Sequence, residues 1–505
     1  MKAVAQQVFL LLLGLLLVSF PGNVTTQSTW KATPPTPSAS RADRLLPGAS
    51  TPLSRTAQQQ QQQQEKDHGG QLPGLSRRDV HAHATLLYPN AGPEEQHYRR
   101  LAASDWYQQA KLVPTDGATS DNFGVSLGVL TNKDAMIVGS NYDDDNSLSS
   151  SGSAYIFTRT SGNWAQEAKL LPTDPCDNCQ FGESVEYIST TTVAIGTTAA
   201  DYNDYTWSGA AFIFTSSSGS WIQATSFVAS NQEAYGNYGK SMGKISETML
   251  AIGAVGEDPA GVVYIYTTGG SSWTEATKLT ATDMSSGNFG YSFGIMSTSR
   301  ILVNAYNAAA YVFSSVSGSW TQTAKITGSG SYIFYASDAL SSSSVVIGVG
   351  SNVGDAYVFT LSSGSWAQAY TASPSDGASY DNFGFSVAGL SGSSFAVGAR
   401  QEDALGDNTG SAYLFTSSSG SWTQAAKFAA ANQNSGEYTG WSICTVSEYS
   451  FVVGAPRDGE GAAYIFGADL TSAPTPAPTP APTTVPTLVP TLEPTLVPTL
   501  VPTLV

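Results

Sequence analysis

Several loops carry carboxylates at spacings that suit a hard cation. They are Asp116 with Asp121, Asp143 with Asp145, Asp201 with Asp204, Asp258 after Glu257, Asp376 with Asp381, and Asp403 with Asp407. Clustered carboxylates and carbonyls are the oxygen-rich set that calcium takes, so calcium is the one cofactor expected. The same carboxylates could instead cap turns, because Asp before Gly accepts backbone N–H groups. Aromatic residues stand beside the acids: Tyr142, Tyr202, Tyr205, Trp207 and Tyr380. Aromatic faces next to carboxylates suit carbohydrate stacking, so these five are the candidate ligand-binding residues.

Catalysis is not expected. All four histidines, at 68, 81, 83 and 97, precede the acidic region, which leaves it no imidazole base or imidazole metal ligand. Two carboxylates alone can hydrolyse a glycoside, so a carboxylate-dependent glycosidase stays as a minor reading. Cys176 and Cys179 form a C-x-x-C in a loop, read as a local disulfide, and Cys444 is read as merely buried.

The elements that carry these residues repeat. Tryptophans recur at 106, 164, 221, 273, 320, 366 and 422, most of them opening a phrase like W-x-Q-x-A-K-L. An aromatic–apolar–aromatic phrase recurs with them, from Tyr155-Ile156-Phe157 to Tyr464-Ile465-Phe466. Between them lie Phe-Gly followed by Ser, as in Phe123-Gly124-Val125-Ser126, and apolar-Gly-small, as in Ile252-Gly253-Ala254. Four short strand-like phrases per unit, repeated seven times and parted by Gly/Ser/Asp turns, predict an all-β, seven-bladed propeller over 104–470. In this scheme a Trp at one strand position in every unit reads as packing between blades.

The phrases resemble FG-GAP repeats, the units of the integrin α-chain propeller, in their short variant. Two units depart from the pattern: the fifth has Phe334-Tyr335 and the seventh Gly440-Trp441 where Phe-Gly is expected. The resemblance implies that Phe-Gly opens the innermost strand of each blade and the Trp phrase forms the outermost. The strand at Trp106–Leu112 would then complete the last blade and close the ring. It also implies that the fourth-to-first and second-to-third loops share one face, here called upper, and this face carries the acids. The family's calcium loops lie between first and second strands, where this chain has only short connections such as 131–134. The calcium expectation therefore rests on the acidic loops elsewhere.

The flanks differ from the ring. Residues 1–22 read as a signal peptide, with Lys2 ahead of the apolar run Val8–Phe20, which is too short for a good membrane span. Residues 23–103 are low-complexity sequence with a Gln tract, read as disordered, and 471–505 are a Pro/Thr-rich stalk. Between Ser104 and Leu470 there are 32 acidic and 12 basic residues, a net charge of −20. Such a ring should repel nucleic acid. The expectation is a secreted or cell-surface adhesion module, a monomeric ring recognising an extracellular glycan or protein through its upper face, with no transmembrane segment beyond the signal peptide. A structural wall or matrix component is the alternative.

Overall fold

The computed structural model describes residues 106–468, apart from 131–133, 146, 203, 258, 271, 307–308, 329–332, 351–352, 404 and 432–433. The signal-peptide, low-complexity and stalk readings lie outside the described residues, as does Asp258.

The described chain forms 28 strands in seven four-stranded antiparallel sheets, each a blade. Blades 1 to 6 span 123–170, 184–227, 238–279, 288–326, 333–372 and 383–428. In each the strands pair in chain order. Blade 7 is built from both ends of the ring. Strands β26 (Ser442–Ser447), β27 (Ser450–Ala455) and β28 (Ala462–Ala468) are completed by β1 (Trp106–Leu112), which pairs antiparallel with β28. The expected shared-blade closure is present, and it leaves no open sheet edge between first and last blades.

The burial of each strand explains its phrase. Second and third strands are covered on both faces by neighbouring blades, so Met136–Val138 and Tyr155–Phe157 are unbroken apolar runs. The outer strands alternate, as in Asn163–Leu170, because one face looks outward. Apolar side chains gather in seven clusters, one per blade interface, and each contains one repeat tryptophan. Trp106, for example, lies with its ring centroid 5.9 Å from Phe428 and 5.7 Å from Phe451. The repeat tryptophans are inter-blade packing.

A second device locks the blades near the axis. The Ser two residues after Phe-Gly donates to the Phe-Gly glycine carbonyl of the next blade: Ser126 to Gly182 (2.7 Å), Ser184 to Gly239 (2.6 Å), Ser386 to Gly440 (2.8 Å) and, across the closure, Ser442 to Gly124 (2.7 Å). The same carbonyl sits against the glycine of the Gly-Ala phrase. A Cβ on Gly139 would meet Gly182 O at 2.0 Å, and one on Gly454 would meet Gly124 O at 2.0 Å. Only glycine tolerates that approach.

The two departures from the repeat fall into place here. In the seventh unit Thr439-Gly440 takes the Phe-Gly position, so the glycine is retained and Trp441 follows it. In the fifth, Tyr335 replaces the glycine, and the facing glycine in blade 4 is Asn304. Its amide donates to Phe334 O at 3.1 Å, and Ser292 bonds Ser337 at 3.1 Å. Both partners of one contact have changed together.

Three carboxyls, Glu257 buried and Glu186 and Asp338 half-buried, contribute to the acid response of the fold. Burial raises Glu186 to about 7, Lys244 offsetting it only in part, and raises Glu257 to about 7 although Tyr264 donates to it. Burial raises Asp338 to about 6 despite N–H donors from Gly389 and Ala339. A raised folded value favours the protonated form. The stabilisation is full below the ordinary carboxylate range and is lost as pH climbs through about 6 to about 7. Thermal melts should show a higher Tm near pH 5 than near pH 8. A Tm that rises over this interval would contradict the burial of these three groups.

Candidate functional site

The predicted metal residues are largely engaged by the protein itself. Lysine from the Trp phrase reaches along its blade, over the ring of the Y-x-F tyrosine, to the upper-loop acids. In blade 1 Lys169 Nζ lies 2.8 Å from Asp116, 2.9 Å from Asp143 and 2.5 Å from Asp145, and 5.4 Å from the Tyr155 ring centroid. Tyr155 OH donates to Asp143 at 2.7 Å. Blade 6 repeats this with Lys427, 2.5 Å from Asp376 and 2.9 Å from Glu402, over Tyr413. Blades 3, 4 and 7 stack Lys278 on Tyr264, Lys325 on Tyr311 and Lys111 on Tyr464. Burial tends to raise Asp116 and Asp376, but the adjacent ammonium outweighs it and holds both below the usual carboxylate range.

The remaining acids mostly serve turns. Buried Asp121 and Asp381 accept N–H bonds from Ala118 (2.6 Å) and Ala378 (2.7 Å). Asp201 accepts from Trp207 N at 2.7 Å and Asp403 from Asn408 N at 2.6 Å. Asp204 and Asp407 are exposed in their loops. Among the described residues no three His, Cys, Asp or Glu side chains converge to hold an ion. Lysines pair with Asp116, Asp143, Asp145 and Asp376, and backbone amides donate to Asp121, Asp201, Asp381 and Asp403.

The aromatic candidates scatter. Trp207 is exposed at a loop tip with φ 53°, its ring 6.1 Å from Tyr235. Tyr205 and Tyr380 are exposed, and Tyr202 packs against the interface of blades 1 and 2. Tyr142 alone lines the feature described next. Cys176 and Cys179 are disulfide-bonded, and Cys444 is half-buried. Burial pushes its thiol up to about 12, with Glu186 and Asp338 adding to the rise.

Where the axis opens on the upper face lies a funnel of about 360 Å³. Two residue positions per blade build it. One follows Phe-Gly: Val125, Glu183, Lys240, Tyr291, Phe385 and Trp441, with Tyr335 itself in blade 5. The other follows the Gly-Ala phrase, giving Asn141 and Pro456, and at the same position in blade 6 Arg400 lies against the lining rings of Phe385 and Trp441. Both positions sit where the backbone turns at the inner strand, so their side chains face the mouth rather than a neighbouring blade.

Four consecutive blades place aromatics there, and these form an arc. Centroids are 4.9 Å apart for Tyr291–Tyr306, 5.9 Å for Tyr306–Tyr335, 5.3 Å for Tyr335–Phe385 and 5.3 Å for Phe385–Trp441. Tyr438 extends it 6.1 Å beyond Trp441. Arg400 lies over Phe385 at 3.7 Å and over Trp441 at 4.6 Å, and Arg457 over Tyr438 at 4.9 Å. On the opposite side Lys240 pairs with Glu183 at 2.6 Å.

The repeat that positions this funnel matches a known family model. The model, described as the FG-GAP repeat, matches 106–157, 164–214, 366–415 and 422–466. The chain carries FG-GAP repeats in a seven-bladed propeller. The serine-to-glycine contact recurs beyond the matched segments, since Ser241 in blade 3 donates to Gly290 in blade 4. Two solved structures are similar to the chain at low identity. The Chaetomium thermophilum Raptor structure is 10% identical with a TM-score of 0.52, over 79% of this chain and 31% of that one. The Saccharomyces cerevisiae Sqt1 structure is 14% identical with a TM-score of 0.43, over 70% of this chain and 86% of that one. No curated protein matches the chain.

Proposed function

We propose that this FG-GAP propeller is a non-catalytic, extracellular recognition module that takes a glycan or protein segment into its upper axial funnel. One observation carries the reading: the aromatic arc from Tyr306 through Tyr335, Phe385 and Trp441 stands half-buried around an open cavity. Aromatic rings in a concave site with a few convergent polar groups are the usual make-up of a ligand pocket. The Cys176–Cys179 bridge and the N-terminal apolar run support an oxidising, secreted setting.

The test is binding of the full chain to a glycan and matrix-protein array, beside Trp441→Ala. A central aromatic anchor is worth about 2 kcal/mol or more, so binding should weaken at least about 30-fold. Undiminished binding by the variant would remove the funnel from the recognition surface.

A further inference from the structure

The funnel is cationic inside an acidic ring. Its Glu183 and Lys240 neutralise each other, which leaves Arg400 and Arg457. Among the described residues no carboxylate lies within ion-pair distance of either guanidinium. Arg400 Nε is buried and has no hydrogen-bond partner, and its guanidinium lies against two adjoining rings, 3.7 Å from the Phe385 centroid and 4.6 Å from that of Trp441. Burial lowers the proton affinity of Arg400, and repulsion from Arg457 adds a smaller part. A half-buried, unpaired guanidinium beside a second one is costly in the free protein, and a bound anion removes that cost.

We propose that Arg400 and Arg457 hold the anionic group of a charged saccharide, a carboxylate or sulfate, while the aromatic arc carries its sugar ring. This rests on the recognition reading above. A guanidinium fork matches a carboxylate or sulfate in geometry, and its stacking on Phe385 and Trp441 fixes the plane it presents. Next to it the ring faces of Trp441 and Tyr335 offer apolar platforms. Across the mouth Asn122, Asn141 and Gln180 offer amide donors and acceptors for hydroxyls. The opening has the size of a small saccharide. The outer acids do not oppose this: those near Lys169 and Lys427 are internally paired, and exposed charges beyond about 8 Å are screened at physiological salt. The charge of the ring as a whole still disfavours a dense polyanion such as nucleic acid.

The experiment is titration calorimetry on the full chain with four probes: a galacturonate trisaccharide, a sulfated galactose trisaccharide, a neutral galactose trisaccharide and an oligoglutamate peptide. Wild type is compared with Arg400→Gln, Arg400→Lys and Trp441→Ala. One charged trisaccharide should bind at least about tenfold tighter than the neutral one. Whichever does so distinguishes carboxylate from sulfate. Arg400→Gln should weaken it on the order of 10- to 100-fold, and Arg400→Lys should fall between, keeping charge but losing the fork. In the absence of ligand Arg400→Gln should melt no lower than wild type, since it removes an unpaired charge. A lower melt would make Arg400 a structural residue and overturn the proposal. Equal binding of the neutral trisaccharide, unaffected by Arg400→Gln but lost in Trp441→Ala, would overturn the anion inference and leave the funnel reading standing. Binding of the peptide alone would overturn the saccharide. No binding of any probe would overturn the proposal, and the array would then decide the funnel reading separately.

Discussion

Gly454→Ala should lower the Tm by several degrees, although it adds only one methyl group. The new Cβ would lie 2.0 Å from Gly124 O and 2.3 Å from Ser442 Oγ. The first of these is backbone on the neighbouring blade and cannot rotate away. Either blades 7 and 1 separate, breaking the Ser442–Gly124 bond and opening the closure interface, or the inner strand distorts. Overpacking of this kind costs about 1–3 kcal/mol, and a backbone collision belongs at the upper end. Gly162→Ala is the control. It has a left-handed φ of 86° but nothing within 4 Å of its Cβ, so it should cost only local strain of about 1 kcal/mol. Thermal unfolding of both variants checks this. Equal small losses would show that the blades do not meet as described.

Lys169→Met should be the most damaging change to a surface-proximal residue. Lys169 Nζ is shared by Asp116, Asp143 and Asp145, and Asp143 keeps only 5% side-chain exposure. Removing the ammonium strands three carboxylates together. Breaking a buried pair by removing one partner costs about 3–5 kcal/mol, and the 19% exposure of Lys169 places this case near the low end. The loss should shrink as pH falls toward about 4, because the stranded acids then take up protons. Denaturant unfolding at neutral and acid pH reads both effects. A penalty that is the same at both pH values would mean that lost packing, not charge, is responsible. Blade 2 shows that the device is optional where every member changes: Phe212 and Ser226 replace the tyrosine and lysine, and Asp201 caps a turn instead.

How much of this was legible in the sequence follows from the range of the interactions. Blade number, strand order and ring closure were readable because each repeat states its own four strands. The tryptophans were readable as inter-blade packing for the same reason. That the acids cap turns was readable from Asp beside Gly, but that lysines neutralise them was not. The lysine that neutralises Asp116 is 53 residues away in sequence and reaches it only along a folded blade. The funnel is not marked by the acidic loops. Its signal was present at the position after Phe-Gly, where a constant phrase holds Val125, Glu183, Lys240, Tyr291, Phe385 and Trp441 in turn. A position that varies in every blade while its neighbours do not is free of packing duty. The arginine over Phe385 and Trp441 needed the structure, because Arg400 follows the second strand rather than the first.

The most direct test of the account is a structure of the full chain with its tightest array ligand. The account predicts the ligand in the upper axial funnel, a ring face against Trp441 or Tyr335 and a polar group on Arg400. A ligand seated on the acidic outer loops around Asp204 or Asp403, or on the lower face, would contradict it.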